Sequence, residues 1–559
     1  MSKAGFIGQS RGAQPSAVSA QRWVSASDRH HGGRTPSRGG PNEAAVRRIA
    51  CWGHPAAILL AVWTLIAPAA PAADQPQWGE RHTRNMISPE RGLPSTFDPS
   101  TGQNVKWSVE LGTETHSTPA VAGGRVLIGT NNGHPRDARH TGDRGVLMCF
   151  DEQDGRFRWQ LVVPKLSKDI YQDWPRAGIV GSPVIDGRRV YMLDNRVEMV
   201  CLDLDGQSNG NDGPFLDEAS FQAPLDAPPI PVNEITADIL WTFPVLTNTG
   251  SYPHDSAHTA PLLDGAILYF NTCNGVDNTH RKIRAPDAPS LIALDALTGR
   301  WLARDGERMG PVIFHSTWSS PALGEVNGHK LVIFGGGDGI LYAFHALSGS
   351  ASPPPPVQTL QRIWRFDGDP DAPKSDVHRF TGNRRESPSN IKSMPVFHRG
   401  RVYVTLGGDV WWGKNQAWLK CIDATASGDI TRTGEVWSYP LQNHCMATPA
   451  VHDQRVYVAD SGRRAHCVNA RTGQAHWTHD LDAEVWASPL VADGKVYFAS
   501  RRGTVWCFAD SPEMKILSQV KLGEPIHASP IAANGVLYLA TMTRLYAIQE
   551  AAQGKPLAP

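Results

Sequence analysis

The chain carries no net charge: 54 Lys and Arg stand against 54 Asp and Glu. That balance excludes the basic footprint expected of a nucleic-acid binder or of a protein held on an anionic membrane. Long apolar runs are scarce. The one marked run, Ala56 to Ile66, is too short to span a bilayer, and no other segment could cross one. Cys-x-x-Cys-His is absent, so no covalent haem is expected. No two cysteines are adjacent.

Turn residues, by contrast, abound: 53 Gly and 43 Pro. Eight of the prolines open copies of one pattern, at Thr118-Pro119, Ser182-Pro183, Ala260-Pro261, Ser320-Pro321, Met394-Pro395, Thr448-Pro449, Ser488-Pro489 and Ser529-Pro530. A β-branched or aromatic run follows each, such as Arg455-Val-Tyr-Val. A second apolar run then ends in an acid or its stand-in, such as Asp295, Asp423 or Asn469. Thr-Gly or a lone Gly comes next, and then Trp. Repetition at roughly 40 residues or more is the mark of a repeat architecture. In the tightest copies Trp107 to Pro119, Trp437 to Pro449 and Trp477 to Pro489 each span 12 residues. Alternating runs between turn signals predict four antiparallel strands per repeat, A to D. The proline sits at the start of strand A, where its missing N–H costs no ladder bond. Eight such sheets around an axis make an all-β, eight-bladed β-propeller.

The last repeat, Pro530 to Ile548, has strands A to C and no Trp strand, whereas Trp107 has no repeat before it. The N-terminal strand is therefore expected to complete the final blade, closing the ring and removing its exposed edges. Residues 105–549 form the propeller on this reading, with 73–104 a lead segment and 550–559 a tail. Residues 1–72 read as a polar extension plus a secretory signal peptide with a late start. Arg47-Arg48 precede the apolar run, and Ala70-Pro71-Ala72 is its small-residue cleavage site. Export to the periplasm or beyond is expected.

Cysteine spacing argues against a disulfide framework. Cys149, Cys201, Cys421, Cys467 and Cys507 share one repeat position, which Ala293, Ala343 and Ala547 hold elsewhere. They are expected as small buried residues, one per blade and too far apart to bridge.

In an antiparallel blade the B–C and D–A′ connections share one end. Most insertions fall there, including Trp159 to Pro183, Trp241 to Pro261, Trp301 to Pro321 and Trp364 to Pro395. Loops gathered at one end of a rigid scaffold are where function is expected. The residue three before each Pro should ring that mouth of the channel: His116, Val180, His258, Trp318, Lys392, Met446, Trp486 and His527. Trp can stack on a planar ligand, and His or Lys can take anionic groups or protons. The same ring could equally be a plug whose members bond to one another.

Polar clusters feed this end. His254 and Asp255, before strand A of blade 3, are the candidate catalytic base. Arg384, Arg385 and Asn390, before blade 5, join His116, His258, Trp318, Lys392, Trp486 and His527 as candidate ligand-binding residues. A salt-bridged loop network is the plainer reading. At the other end, Asp203, Asp205, Asn209, Asn211 and Asp212 open a long insertion whose oxygens could wrap calcium. Their spacing does not match an EF-hand loop, and such runs are also ordinary turns.

The stretches Leu291-Ile-Ala-Leu-Asp295-Ala-Leu-Thr-Gly299-Arg-Trp301 and Ala465-His-Cys-Val-Asn469-Ala-Arg-Thr-Gly473-Gln-Ala-His-Trp477 resemble the repeat of the pyrroloquinoline-quinone (PQQ) propeller family. The resemblance covers nearly the whole mature chain. It implies the propeller, with Trp docking blade on blade, and it makes PQQ and calcium candidate cofactors. Family dehydrogenases hold PQQ between a Trp and a vicinal disulfide, with Ca²⁺ on Glu and Asn and an Asp as base. The missing cysteine pair is a departure from that pattern. A second branch of the family is non-catalytic and scaffolds other proteins. Two readings follow. One is a secreted propeller with a small-molecule ligand at one channel mouth, of quinoprotein-like oxidoreductase type. The other is a non-enzymatic scaffold for a protein or polymer partner.

Overall fold

Each of the eight prolines is followed at once by a short strand, beginning at Ala120, Val184, Leu262, Ala322, Val396, Ala450, Leu490 or Ile531. The computed structural model describes residues 73–166, 169–349 and 356–557, all within one unit, Pro68–Pro559. The expected signal segment lies outside them. Eight sheets with antiparallel A to D strands follow in chain order, three of them edged by a short parallel strand. Blade 6 is representative: Ala450–His452, Arg455–Ala459, Arg464–Asn469 and Ala475–Asp480 pair in sequence as strands A to D. The ring closes as expected. Gln103–Glu110 pairs antiparallel with Arg544–Gln553, placing Trp107 opposite Ala547 as the fourth strand of blade 8. No helix among the described residues is long and apolar enough to cross a membrane.

The residue before each proline joins neighbouring blades. Its hydroxyl accepts the backbone N–H of the residue at the same position one blade earlier. The bonds run Thr118 to Ser182, Ala260 to Ser320, Met394 to Thr448, Thr448 to Ser488, Ser488 to Ser529 and Ser529 to Thr118, at 2.9–3.1 Å. All six Ser or Thr at this position serve as acceptors. The two links without such a bond are those where Ala260 or Met394 would have to accept.

The shared cysteine position has a packing reason. Tyr457, Cys467 and Trp477 lie side by side across strands B, C and D. Tyr191, Cys201 and Trp241 repeat the row, as do Tyr403, Cys421 and Trp437, and Tyr538, Ala547 and Trp107. The two large rings lean over the small residue until their centroids are 6.0–6.1 Å apart. Only Cys or Ala fits beneath them. All seven described cysteines are buried and free. The Trp also docks on the next blade: Trp437 Nε1 donates to Ala470 O at 3.0 Å, and Trp159 Nε1 to Leu204 O at 2.9 Å. The Gly of the motif serves this contact as well as the turn. Gly473 has φ +74°, and a Cβ there would lie 2.8 Å from the Trp437 ring.

The lead segment is a collar inside the channel, at the end opposite the long loops. It meets the strand A residues of every blade. Asn534 N donates to Ala73 O. Gln75 bridges Val121, Pro76 O accepts from Ile185, His82 O from Leu323 and Thr83 O from Phe397. Asn85 exchanges two bonds with Val451, and Ile87–Ser88 pairs parallel with Val491 and Ala492. Ser88 Oγ donates to Ala532 O. Glu90 then accepts the Ala73 N–H at 2.7 Å, completing the circuit. Arg84, fully buried, donates to the carbonyls of Trp78, Ala260, Pro261 and Pro321. Beyond the collar, Leu93 and Phe97 pack between blades 7 and 8. The outer strand of blade 7 has Ser518, not Trp, opposite Cys507, and the Ser518 hydroxyl bonds to Ser95 O.

Candidate functional site

The long connections at the open mouth bind one another rather than projecting freely. Short bridges join Pro253 to Asn274 and Gly275 to Ser316, tying the blade 2–3 connection, the blade 3 B–C loop and the blade 3–4 connection together. The Thr381 hydroxyl donates to His280 O, and Gly382 N to Trp412 O, which adds the blade 4–5 connection and the blade 5 B–C loop. Asp255 N donates to Tyr171 O at 2.6 Å.

Beneath these loops the eight mouth residues form the expected ring. All are half-buried except Lys392, which is buried. His116 Nδ1 and His527 Nδ1 share a hydrogen bond at 3.0 Å, and Trp486 lies 4.6 Å from the His527 ring. Trp318 meets His258 edge-on at 4.5 Å. Lys392 Nζ sits 3.7 Å from the centre of the Trp318 ring and 4.6 Å from that of Trp411, a cation–π arrangement. Arg501 lies over Trp486 at 4.1 Å and donates to His527 Nε2. The ring members therefore do touch one another. Several of their polar atoms nevertheless find no partner in the protein: both nitrogens of His258 and the indole N–H of Trp318 and of Trp486, joined by Oδ1 of the nearby Asn390. Buried polar atoms are rarely left so, and each orphan asks for a reason.

One wall of the mouth is a histidine cluster. His254 comes from the blade 2–3 connection, His280 from the blade 3 B–C loop and His315 from the blade 3–4 connection. All three are buried, and their ring nitrogens lie within 4.8 Å of one another. His254 Nε2 and His280 Nε2 are 2.9 Å apart. The Asp255 carboxylate approaches His254 Nε2 at 3.6 Å and His315 Nε2 at 3.4 Å. On its far side His315 Nδ1 bonds to Asp409 Oδ2 at 3.0 Å. Asp409 is wholly buried and also receives Lys392 Nζ at 2.7 Å, Asn390 Nδ2 at 3.2 Å and the backbone N–H groups of Trp411 and Trp412. Tyr171 stacks on His254 and Trp412 packs on His280. Asp255, Ser256 and His280 hold φ of +60°, +81° and +57°, a strained conformation for such residues that tends to gather at functional sites.

Burial sets the charges here. It presses His254 down to about 3, aided by the neighbouring His315 and His280. His280 is lowered for the same reasons. Burial opposes charge on His315 too, yet Asp409 and Asp255 overcome it and raise its pKa. Against its own burial, Asp409 is held well below the usual carboxylate range by Lys392 and His315. His315 thus lies between two carboxylates that favour its protonated form, whereas burial favours the neutral form of His254 and His280.

Of the residues singled out in the sequence, His254 and Asp255 do meet, but each faces a further histidine. Arg384 and Arg385 are exposed, and Arg384 is spent on Val410 O and Gly413 O of the adjoining loop. The oxygen-rich loop at the other end is matched by arginines: Arg125 and Arg188 pair with Asp205, and Arg188 also with Asp203. Asn209 bonds to Asp212, and Asn211 to Glu218. Asp203 and Asp205 thus have arginine partners, while Asp212 takes only the neutral amide of Asn209. His315 was not evident from the sequence; Asp409, Trp411 and His280 stand there in the polar loops 408–412 and 274–282 of this end, without the roles seen here. They come from separate connections, and only the fold brings them together.

The eight blades, the Trp docking and the repeat motif make this chain a PQQ-repeat β-propeller. The family model described as outer membrane protein assembly factor BamB matches residues 90–208 and 416–512, less than half of the chain. No curated protein matches the chain in sequence. Among solved structures, quinohemoprotein alcohol dehydrogenase from Comamonas testosteroni aligns over 88% of this chain and 83% of its own, at 11% identity and TM-score 0.53. Quinohemoprotein alcohol dehydrogenase ADHIIG from Pseudomonas putida HK5 aligns over 87% and 82%, also at 11% identity and 0.53. BamB from Moraxella catarrhalis aligns over 80% and 97%, at 12% identity and 0.45. At these identities the likeness is one of fold.

Proposed function

We propose that this propeller is exported and binds a small planar anion at the long-loop mouth of its channel. The observation that carries the reading is the set of orphaned atoms on His258, Trp318, Trp486 and Asn390, beside the cations Lys392 and Arg501, which Asp409 and Glu484 respectively pair. A flat carboxylate-bearing molecule would use the indole N–H groups and the cationic side chains together. PQQ is the candidate suggested by the quinohemoprotein dehydrogenases that share the fold, and a quinoprotein-like oxidoreductase is the activity that goes with it. When bound, such a quinone supplies a two-electron acceptor. Trp318, Trp486, Lys392 and His258 would hold and orient it and keep water from it. Calcium fits poorly at this mouth, because Asp255 and Asp409 already face nitrogen partners. Asp255, with 21% of its side chain exposed against none for Asp409, is the carboxylate left to take a proton from a substrate.

A second reading is a scaffold for a protein partner. The BamB family match supports it, as do the exposed apolar side chains Ile170, Trp174 and Trp411 on the same end. Purified protein should be examined by mass spectrometry and absorbance, with its melting temperature measured with and without PQQ. A bound quinone, or a rise in melting temperature that Trp318→Ala abolishes, supports the ligand site. If PQQ and other planar carboxylates leave the melting temperature unmoved, the scaffold reading is the better one.

A further inference from the structure

The histidine cluster has a geometry that neither the repeat nor a planar ligand calls for. Three imidazoles from three different connections turn their nitrogens toward one point, with a carboxylate alongside. Four-coordinate transition-metal sites place nitrogen ligands about 2.0–2.1 Å from the ion, which puts them roughly 3.3 Å from one another. His254 Nε2 and His280 Nε2 are 2.9 Å apart, close to that spacing; the three imidazoles keep ligand nitrogens within 4.8 Å of one another, and the Asp255 carboxylate stands 3.6 Å from His254 Nε2 and 3.4 Å from His315 Nε2. We infer that His254, His280 and His315 bind one first-row transition-metal ion of the zinc, copper or iron class through their Nε2 atoms, leaving a fourth position faced by Asp255.

Three further features support the assignment. The first is orientation. The Nδ1 of His315 is fixed by Asp409, and Asp409 is itself held by Lys392, Asn390 and two backbone N–H groups. A ligating histidine whose outer nitrogen bonds to a carboxylate is the usual support around a bound metal. The second is ligand chemistry: imidazole suits zinc, copper, iron and nickel, whereas calcium wants six or more oxygens. The third is cost. Three buried imidazoles are costly to keep together, and the loops carrying Asp255, Ser256 and His280 hold strained backbone to do so. Packing alone would be served better by apolar side chains. The other three-membered group among the described residues, His452, Asp453 and Asp510, is a weaker site. Its Asp510 is already bonded to Arg455 and Tyr457.

Metal content of the purified full chain should be measured, followed by chelation and titration with Zn²⁺ and Co²⁺. One ion per chain is expected, with visible Co²⁺ absorption and a rise in melting temperature. The His280→Gln and His315→Gln double variant should lose that stoichiometric binding, and His452→Gln should keep it. Asp409→Asn should weaken affinity about 10–100-fold without removing a ligand. X-ray absorption of the zinc-loaded wild type is independent of any variant's folding. It should show imidazole ligands at about 2.0–2.1 Å, three of them. The assignment is overturned if the chelated wild type takes up no ion, if X-ray absorption shows fewer than three imidazoles, or if uptake follows His452 instead of His280. The readout is the metal, so failure here would leave the PQQ melting experiment standing on its own.

Discussion

The Thr118 hydroxyl in the first blade accepts the backbone N–H of Ser529 in the last, at 3.0 Å. That bond joins the last blade to the first in a belt of six side-chain to backbone bonds around the channel, interrupted where Ala260 and Met394 lack the hydroxyl. Ser488→Ala should remove the acceptor for Thr448 N and leave a buried donor unpaired, at a cost of about 1–3 kcal/mol. Ala260→Ser should supply the missing acceptor to blade 2 and be neutral or stabilising. Paired thermal melts would test this; equal melting temperatures for wild type and Ser488→Ala would count against the belt.

The cysteines should be silent in the folded protein. Burial pushes the thiols of Cys201, Cys273, Cys445, Cys467 and Cys507 up to about 12 and Cys421 to about 11, so none is a ready nucleophile at neutral pH. Alkylation counted by mass spectrometry should label none of these six natively and all of them in denaturant. Cys467→Ala should be mild. Cys467→Leu should cost about 1–3 kcal/mol, because it wedges Tyr457 and Trp477 apart.

Arg84 makes the collar testable. Its donors serve four carbonyls, from the lead segment and from blades 3 and 4. Arg84→Met keeps the length and removes every bond, at roughly 1–3 kcal/mol for each acceptor left unpaired. A sharp fall in melting temperature is expected, together with faster proteolysis of residues 73–90. An unchanged melt would mean that the collar is only draped on the blades.

Most of the ring could be read from the sequence because the repeat is periodic. The eight prolines, the 12-residue spacing from Trp107 to Pro119 and the incomplete last repeat fix the blade count and the closing strand. The collar could not be read in this way. Residues 73–90 have no repeat, and Gln75, Arg84 and Asn85 look like polar linker until their distant partners Val121, Ala260 and Val451 are in place. The hydroxyl before each proline was in plain view, but its role needs two blades to be seen. The site was half legible. Register alone identified the mouth ring. The histidine cluster depends on three connections meeting, and His315 carries no signal of its own. Loop composition says nothing about direction: Arg384 turns to the carbonyls of Val410 and Gly413, and no pattern in the sequence foretells which way such a side chain points.

Stability should depend on pH through Asp338. This buried carboxyl accepts bonds from Tyr342 Oη and Ile340 N, but burial raises its pKa to about 6, only partly offset by those bonds and Lys374. The native state therefore holds a proton between about pH 4 and 6 that the unfolded chain has released. Stability from this group is greatest below pH 4 and declines as pH rises through 6, by on the order of 3 kcal/mol. Denaturant melts of wild type and Asp338→Asn should differ in slope across that window, with the variant flatter. Parallel curves would remove Asp338 as the cause.

Lys392 separates a structural role at the mouth from a binding one. Its side chain is 1% exposed and its charge is matched by Asp409, which is not exposed at all. Removing one member of a buried pair leaves the other uncompensated, at about 3–5 kcal/mol. Lys392→Met should therefore melt well below wild type, unlike a change at a freely exposed ligand-binding lysine. The double variant Lys392→Met with Asp409→Asn should recover part of the loss, since no net charge is then left unmatched, although His315 loses its carboxylate partner. Trp318→Ala keeps the pair and removes only the ring beneath the ammonium. It should cost less stability than Lys392→Met while abolishing any shift in melting temperature produced by a planar anion. If Trp318→Ala is the more damaging of the two, the Trp318 ring is chiefly packing, and the cation beside it is not what holds the mouth in shape.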